Sequence, residues 1–179
     1  MFLVALIGLH LAAPVDSLAG PAALSPEARK TLRAQAQEMG AAALRGDAEA
    51  MLKRMHPKLV EGLGGHDRAL EVLRRQPEEM KKQGGSLVSF ETREPTACVR
   101  TRKQLQCAVP ETMLLGVEGG RLHTESELLA VSYDEGKSWF FVDVPPDVEA
   151  LRRLLPDVSA SLRLHGPKKP VFLPASKGR

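Results

Sequence analysis

The sequence predicts an α+β fold, in which helices come first and antiparallel strands follow. Two patterns support this prediction. Up to Gly84-Gly85, apolar residues recur three and four positions apart, and beyond that pair they alternate with polar residues. With 43% hydrophobic residues among 179, the chain has enough apolar side chains for one core. We therefore expect a single domain over residues 20–165, with the helices packed on one face of an antiparallel sheet.

The first two helices have recognisable ends. Ser25 is suited to cap the first helix, because its hydroxyl can accept a hydrogen bond from a free backbone N–H, and Gly46 ends that helix. Asp47 caps a short second helix, which ends at His56 because the next residue is a proline. The apolar stripe of the first helix consists of Ala28, Leu32, Ala36, Met39 and Ala43.

Two further helices are predicted. One follows Gly64-Gly65 with Asp67 as its cap, and Pro77 is expected to interrupt it. A short C-terminal helix spans 147–155, where four apolar residues lie on one side. The tail Gly166–Arg179 contains prolines, lysines and small residues, and we expect it to be irregular.

Period-two alternation and intervening turn residues define six antiparallel strands. They are Leu87–Arg93, Thr96–Thr101, Gln104–Val109, Thr112–Val117, Leu122–Tyr133 and Lys137–Asp143.

The N-terminus has the pattern of a secretory signal peptide over residues 1–19. Phe2–Ala13 is almost wholly apolar, and Ser17-Leu18-Ala19 provides the small residues behind which a signal peptidase cuts. The apolar run is too short for a stable membrane span. The positive region expected at the start of a signal peptide is missing, because no lysine or arginine precedes Arg29. A buried N-terminal helix is the alternative. Cleavage near Ala19 would place the protein in the periplasm or outside the cell.

The two cysteines flank a predicted hairpin whose turn contains Arg102-Lys103. With the turn centred there, Cys98 and Cys107 face each other, and a cross-strand disulfide is geometrically possible. An exported compartment would keep the disulfide oxidised. The alternative is two free cysteines in the core.

Composition argues against several function classes. The net charge of +3 is spread over the chain, and aromatic residues make up only 4%, so the sequence lacks the basic stripe and stacking platforms of a nucleic-acid-binding protein. The glycine-rich segments 62–65 and 119–120 lack the lysine of a phosphate-binding loop, and no cofactor is indicated. His56 and His66 are not spaced as metal ligands, and we predict no metal site.

One predicted strand carries the best candidate for acid–base chemistry. His123, Glu125, Glu127 and Tyr133 share one face because side chains alternate along a strand. If this face lined a cavity, a carboxylate with a raised pKa would be able to act as an acid or a base. The alternative is a polar face exposed to water, as is common in antiparallel sheets.

Ser132–Trp139 matches the Asp-box pattern S-x-D-x-G-x-S-W. In this structural turn Asp134 can accept hydrogen bonds from backbone amides, Gly136 can adopt positive φ, and Ser138 can tie down the loop while Trp139 packs inward. A single copy argues against a propeller, whose blades repeat the pattern. We interpret the segment as a hairpin clamp.

The segments Ala43–Asp47 (ALRGD) and His56–Glu61 (HPKLVE) give the chain a resemblance to the nuclear transport factor 2-like superfamily over residues 25–145. The resemblance implies a cone, in which a strongly curved sheet wraps around the helices, and dimers formed through the sheet face. The segments 56–65, 109–120 and 126–143 are similar to small exported bacterial members. Enzymes of the superfamily use an aspartate base, but the corresponding position here is Gly62, and the first helix lacks their tyrosine. Glu61 is adjacent, on a segment expected to be a strand.

Two functional classes follow. The first, which we favour, is a non-enzymatic binding or interaction module with a cavity for a small apolar ligand, or with a sheet face for homodimerisation. Its candidate pocket residues are His56, Glu61 and Trp139. The second is a dehydratase, isomerase or hydrolase that uses the strand face with His123, Glu125, Glu127 and Tyr133.

Overall fold

The computed structural model describes residues 19–175. Over this range it confirms the α+β class, with five α-helices and one antiparallel sheet of seven strands. The helices are α1 Pro26–Arg45, α2 Ala48–Arg54, α3 Pro57–Gly62, α4 His66–Lys82 and α5 Val148–Leu154. The strands are β1 Gly20–Pro21, β2 Ser86–Thr92, β3 Ala97–Arg100, β4 Leu105–Val117, β5 Gly120–Ser132, β6 Phe140–Asp143 and β7 Val171–Pro174. None of the helices between residues 19 and 175 is long and apolar enough to cross a bilayer.

The sheet is organised around the long hairpin of β4 and β5, which pair along their whole length. Different neighbours flank the two ends of this hairpin. We call the end formed by residues 105–108 and 128–131 the inner half; there β3 pairs with β4, β6 pairs with β5, and β1 extends the sheet beyond β3. We call the end formed by residues 111–116 and 120–123 the outer half; there β2 pairs with β4 and β7 pairs with β5. The outer half therefore ends in two edge strands, β2 and β7.

Helix α1 packs on one face of the inner half and also against β2, where Met39 and Phe90 adjoin the same core. Its start agrees with the sequence prediction, since the Ser25 hydroxyl accepts a hydrogen bond from the Ala28 N–H at 3.1 Å. Its end does too, since Gly46 adopts a left-handed conformation with φ of 67°. The core beneath α1 includes Leu32, Ala36, Leu105, Cys107, Val109, Leu128, Ala130, Trp139 and Phe141.

The C-terminal segment covers the opposite face of the inner half. Leu129 and Val131 of β5 point to this side and pack against Leu151 of α5 and Leu162. The inner half is thus buried on both faces, which explains why its strands are almost uniformly apolar.

Strand β4 continues through a proline where the sequence predicted two separate strands. The Pro110 carbonyl accepts a hydrogen bond from the Arg93 N–H at 2.9 Å. In an antiparallel ladder the N–H and C=O of one residue point to the same side, so the missing donor of Pro110 faces the corner between β2 and β3. The pairing with β5 therefore loses no hydrogen bond, and the strand is not broken.

Three predictions about the helical segments were wrong. Helix α4 runs through Pro77 to Lys82, and it begins after Gly65 without a side-chain cap, so Asp67 is not its cap. The segment with Glu61 is the short helix α3 and not a strand; His56 caps it, because its Nδ1 accepts a hydrogen bond from the Lys58 N–H at 3.2 Å. The proline after His56 starts this helix as its first residue.

The tail is not wholly irregular, because β7 lies within it. Strand β7 pairs with Gly120–His123 of β5. The three residues between Pro170 and Pro174 are too short a run for sequence patterns to identify as a strand. The strand forms because this end of β5 extends beyond β6 and presents backbone donors and acceptors that need partners.

The cysteine pairing agrees with the predicted hairpin. Cys98 of β3 and Cys107 of β4 are register partners with a Cα–Cα distance of 4.1 Å, and their sulfur atoms are within disulfide-bonding distance. The predicted signal peptide lies outside the described residues, apart from Ala19.

Candidate functional site

The Asp-box-like turn clamps the β5–β6 hairpin onto α1. Asp134 accepts a hydrogen bond from the Ser138 N–H at 2.8 Å, and the Ser132 hydroxyl accepts one from the Gly136 N–H at 2.8 Å. Gly136 has φ of 86°, and its carbonyl accepts a hydrogen bond from the indole N–H of Trp139 at 3.1 Å. The side chains of Ser132, Asp134 and Trp139 are thus engaged within the turn, which positions the hairpin.

The predicted acid–base strand face is not assembled into one site. His123 and Tyr133 lie near opposite ends of β5, about 30 Å apart at the usual rise of an extended strand. Between them, Leu129 and Val131 are buried under the C-terminal segment. The imidazole and the phenol therefore cannot act on one small substrate.

The two glutamates of that face are bound to the chain segment after α5. Glu125 pairs with the Lys168 ammonium at 2.6 Å, and this hydrogen bond and charge hold the pKa of Glu125 below its usual range. Glu127 accepts a hydrogen bond from the backbone N–H of His165 at 2.8 Å, and its other oxygen lies 3.2 Å from the His165 ring. These contacts fix the C-terminal segment to the sheet.

Tyr133 instead meets His56, a pair that the sequence did not predict. The Tyr133 hydroxyl lies 2.9 Å from His56 Nε2. Because His56 Nδ1 accepts the N–H of Lys58, the neutral ring carries its proton on Nε2 and donates it to the tyrosine oxygen. Burial, and then the nearby Lys58 charge, lower the pKa of His56, so the ring is neutral and acts as a structural link between α3 and β5.

The predicted pocket residues His56, Glu61 and Trp139 are not gathered around one cavity. Trp139 is fully buried in the core beneath α1, so it is not accessible to a ligand. Glu61 is exposed and pairs with the Lys58 ammonium at 2.9 Å. Of these three, His56 is the one that hydrogen-bonds a candidate of the predicted strand face within residues 19–175, namely Tyr133.

One buried acid was not predicted from the sequence. The Glu111 side chain is 1% exposed; the Ser126 hydroxyl donates to Oε1 at 2.5 Å, and Oε2 has no hydrogen-bond partner within residues 19–175. Burial raises the pKa of Glu111 to about 7, and the charge of Asp143 adds to the shift. Because β4 continues through Pro110, Glu111 lies on the same face as Cys107 and Val109, and the predicted break at the proline hid this signal for burial.

The most conspicuous surface feature is a row of apolar side chains across the outer half of the sheet. In successive strands, Leu87 is the partner of Leu115, Leu115 of Leu122, and Leu122 of Phe172. Partners in register share a face, so the four side chains form one continuous row, which we call the apolar row. The first three are half-buried, and Phe172 is 50% exposed.

The strand at the end of this row is exposed on both faces. Val171 is 55% exposed and Leu173 is 42% exposed, and both point to the face opposite Phe172. An edge strand also presents backbone groups along its free side. Soluble monomers rarely leave such an apolar edge uncovered, so β7 and the apolar row form the candidate interaction site.

Sequence patterns missed this site for an identifiable reason. The apolar row combines residues from four strands, and its last member belongs to a segment with no strand periodicity. Only the pairing of β7 with β5 brings Phe172 next to Leu122.

Among residues 19–175, no three His, Cys, Asp or Glu side chains are grouped as metal ligands; His66 contacts only the neighbouring Asp67 carboxylate, at 3.2 Å. No family model, curated protein or solved structure matches the chain.

Proposed function

We propose that this protein is an exported, non-catalytic interaction module that binds a second copy of itself through β7 and the apolar row. The observation that carries the proposal is the exposure of Val171, Phe172 and Leu173 on an edge strand. An uncovered apolar edge is a template for association with another chain.

A second copy fits this surface better than a charged partner. The apolar row contains no ionisable side chain, so two such rows can pack together without removing a charge from water. A two-fold axis places the same patch of each copy against the other, which is the arrangement of most homodimers. Homodimer interfaces are also more apolar than the rest of the surface.

A catalytic role is less well supported. Glu125 and Glu127 are committed to contacts with Lys168 and His165, and Tyr133 is far along β5 from His123. The pKa of Tyr133 is raised by burial, with a further contribution from Asp157, so its hydroxyl stays protonated at neutral pH. A general base must be near the proton that it removes and must titrate in the working range.

Export and superfamily membership complete the proposal. The signal-like N-terminus supports export, and so does the proximity of the Cys98 and Cys107 sulfur atoms, since disulfides persist in oxidising compartments. The order of four helices before the main strands supports a cone of the nuclear transport factor 2-like type. The apolar ligand expected for such a cone stays a prediction. Trp139 and Leu32 pack in the space beneath α1, so the proposal depends on the sheet edge and not on a cavity there.

The proposal is tested by placing a charge in the row. Phe172→Glu would bury a carboxylate in the dimer interface, so we expect sedimentation velocity to show a monomer where the parent chain is a dimer. Leu154→Glu is the matched control, because Leu154 is 45% exposed on α5 and lies outside the outer half.

We expect the Leu154 variant to remain a dimer. Circular dichroism spectra of both variants check that the fold is kept. A dimer that persists in folded Phe172→Glu would refute this interface.

A further inference from the structure

A second surface, separate from the apolar row, has the features of a ligand site. It is an open groove of about 1040 Å³ where α1, the corner between β2 and β3, the middle of β5 and the segment after α5 meet. This volume is at the upper limit of the range for small-molecule sites, about 300–1,000 Å³. The residues that line it are mainly of polar and charged types, in contrast to the apolar row.

The acids of the groove already have cationic or N–H partners. Glu94 is shared by Arg29 at 3.2 Å and Arg33 at 3.6 Å. Glu125 pairs with Lys168, and Glu127 is bound by the backbone and ring of His165. Glu94 and Glu125 are therefore paired with cations, and Glu127 is hydrogen-bonded.

One cation of the groove has no such partner. The exposed guanidinium of Arg93 makes no hydrogen bond or ion pair with any residue from 19 to 175, although its charge contributes, after those of Lys168 and His123, to lowering the pKa of Glu125. Its position is fixed at the backbone, because its N–H donates to the Pro110 carbonyl at 2.9 Å. Because its backbone is fixed and its guanidinium is unpaired, Arg93 is suited to bind an anion.

Helix α1 presents complementary donors to the same groove. Arg33 and Gln37 are one turn apart and both line it. Arg33 has only the long contact with Glu94, which Arg29 also binds, and the Gln37 amide has no hydrogen-bond partner within the described chain. The groove thus holds two guanidiniums from different elements and one free amide donor.

We propose that this groove binds a small organic oxyanion, a carboxylate or a phosphate ester, with Arg93 as the main anchor and with Arg33 and Gln37 as additional donors. A guanidinium gives a carboxylate or a phosphate two parallel N–H bonds, which a lysine cannot do. The site is independent of the proposed dimer, since β7 and the apolar row do not line the groove.

The test is titration of the full mature chain, followed by amide NMR, with succinate in one arm and inorganic phosphate in the other. We expect saturable shifts at Thr92, Thr96 and Ser126 with at least one anion. Succinate binding alone identifies the ligand class as carboxylate, and phosphate binding alone identifies it as phosphate.

Arg93→Gln should raise the dissociation constant at least about tenfold, because it removes a charge-assisted pair of hydrogen bonds. Arg102→Gln is the matched control, since Arg102 is an exposed arginine in the β3–β4 turn outside the groove, and it should leave binding unchanged. Failure of both anions to bind, or unaltered affinity in folded Arg93→Gln, would overturn the proposal.

Discussion

Phe172 lies directly opposite Leu122, and this pairing extends the apolar row to an exposed edge of the sheet. The tail strand thereby gives the free end of β5 a backbone partner. It also transfers the edge from β5 to β7, whose side chains are exposed on both faces. The same residues complete the fold and create the surface that we assign to self-association.

Glu111 should make stability fall as the pH rises. The pKa of Glu111 in the folded chain is about 7, above the ordinary value of 4.5. Its contribution to the free energy of unfolding is therefore complete below pH 4.5 and is lost as the pH rises through 7. The loss amounts to about 3 kcal/mol in the free energy of unfolding at alkaline pH.

Glu111→Gln should remove this dependence. Urea unfolding at pH 5 and pH 8 tests it, and we expect the variant to be the more stable chain only at pH 8. Glu118→Gln, at the exposed β4–β5 turn, should follow the parent chain at both values. Equal pH dependence in Glu111→Gln and the parent would contradict the assigned burial.

Alanine substitutions at two glycines of positive φ distinguish the cost of backbone strain from the cost of a steric clash. A Cβ at Gly119, with φ of 76°, would meet no atom within 4 Å, whereas a Cβ at Gly136, with φ of 86°, would lie 2.4 Å from the Ala28 Cβ. Gly119→Ala should cost about 1 kcal/mol for the left-handed backbone alone. Gly136→Ala should cost about 1–3 kcal/mol more, because α1 must move. Thermal unfolding measures both, and equal losses would show that the hairpin does not press on α1.

Reduction should destabilise the chain through the bond between Cys98 and Cys107. The closed loop spans a sequence separation of 9 residues. Releasing a loop of this size costs about 2–3 kcal/mol by the chain-entropy account. Urea unfolding with and without dithiothreitol measures the difference. A variant with both cysteines replaced by alanine should unfold identically in the two conditions; if the parent chain does so too, the cysteines are not joined.

Local signals in the sequence were sufficient for most elements. The cap at Ser25, the stop at Gly46 and the hairpin between the cysteines depend on residues close in sequence, and all three agree with the structure. The predicted breaks at Pro110 and Pro77 do not occur. The effect of a proline depends on which way its missing N–H points, or on how the helix is supported, and neither is a local property of the sequence.

The candidate site was less accessible from the sequence. Alternation correctly placed Glu125, Glu127, Leu129 and Val131 on one face, but it gave no sign that the segment after α5 covers that face. Tyr133 meets His56 and not His123 because α3 returns to the end of β5. Such contacts between distant segments are set by packing, and the alternation of side chains along a strand does not specify them.

Self-association through β7 is tested most directly by sedimentation equilibrium of the mature parent chain over micromolar to millimolar concentrations. We expect a reversible equilibrium between one and two copies, with the dimer predominant at the upper end. A single species of monomer mass throughout that range would contradict it.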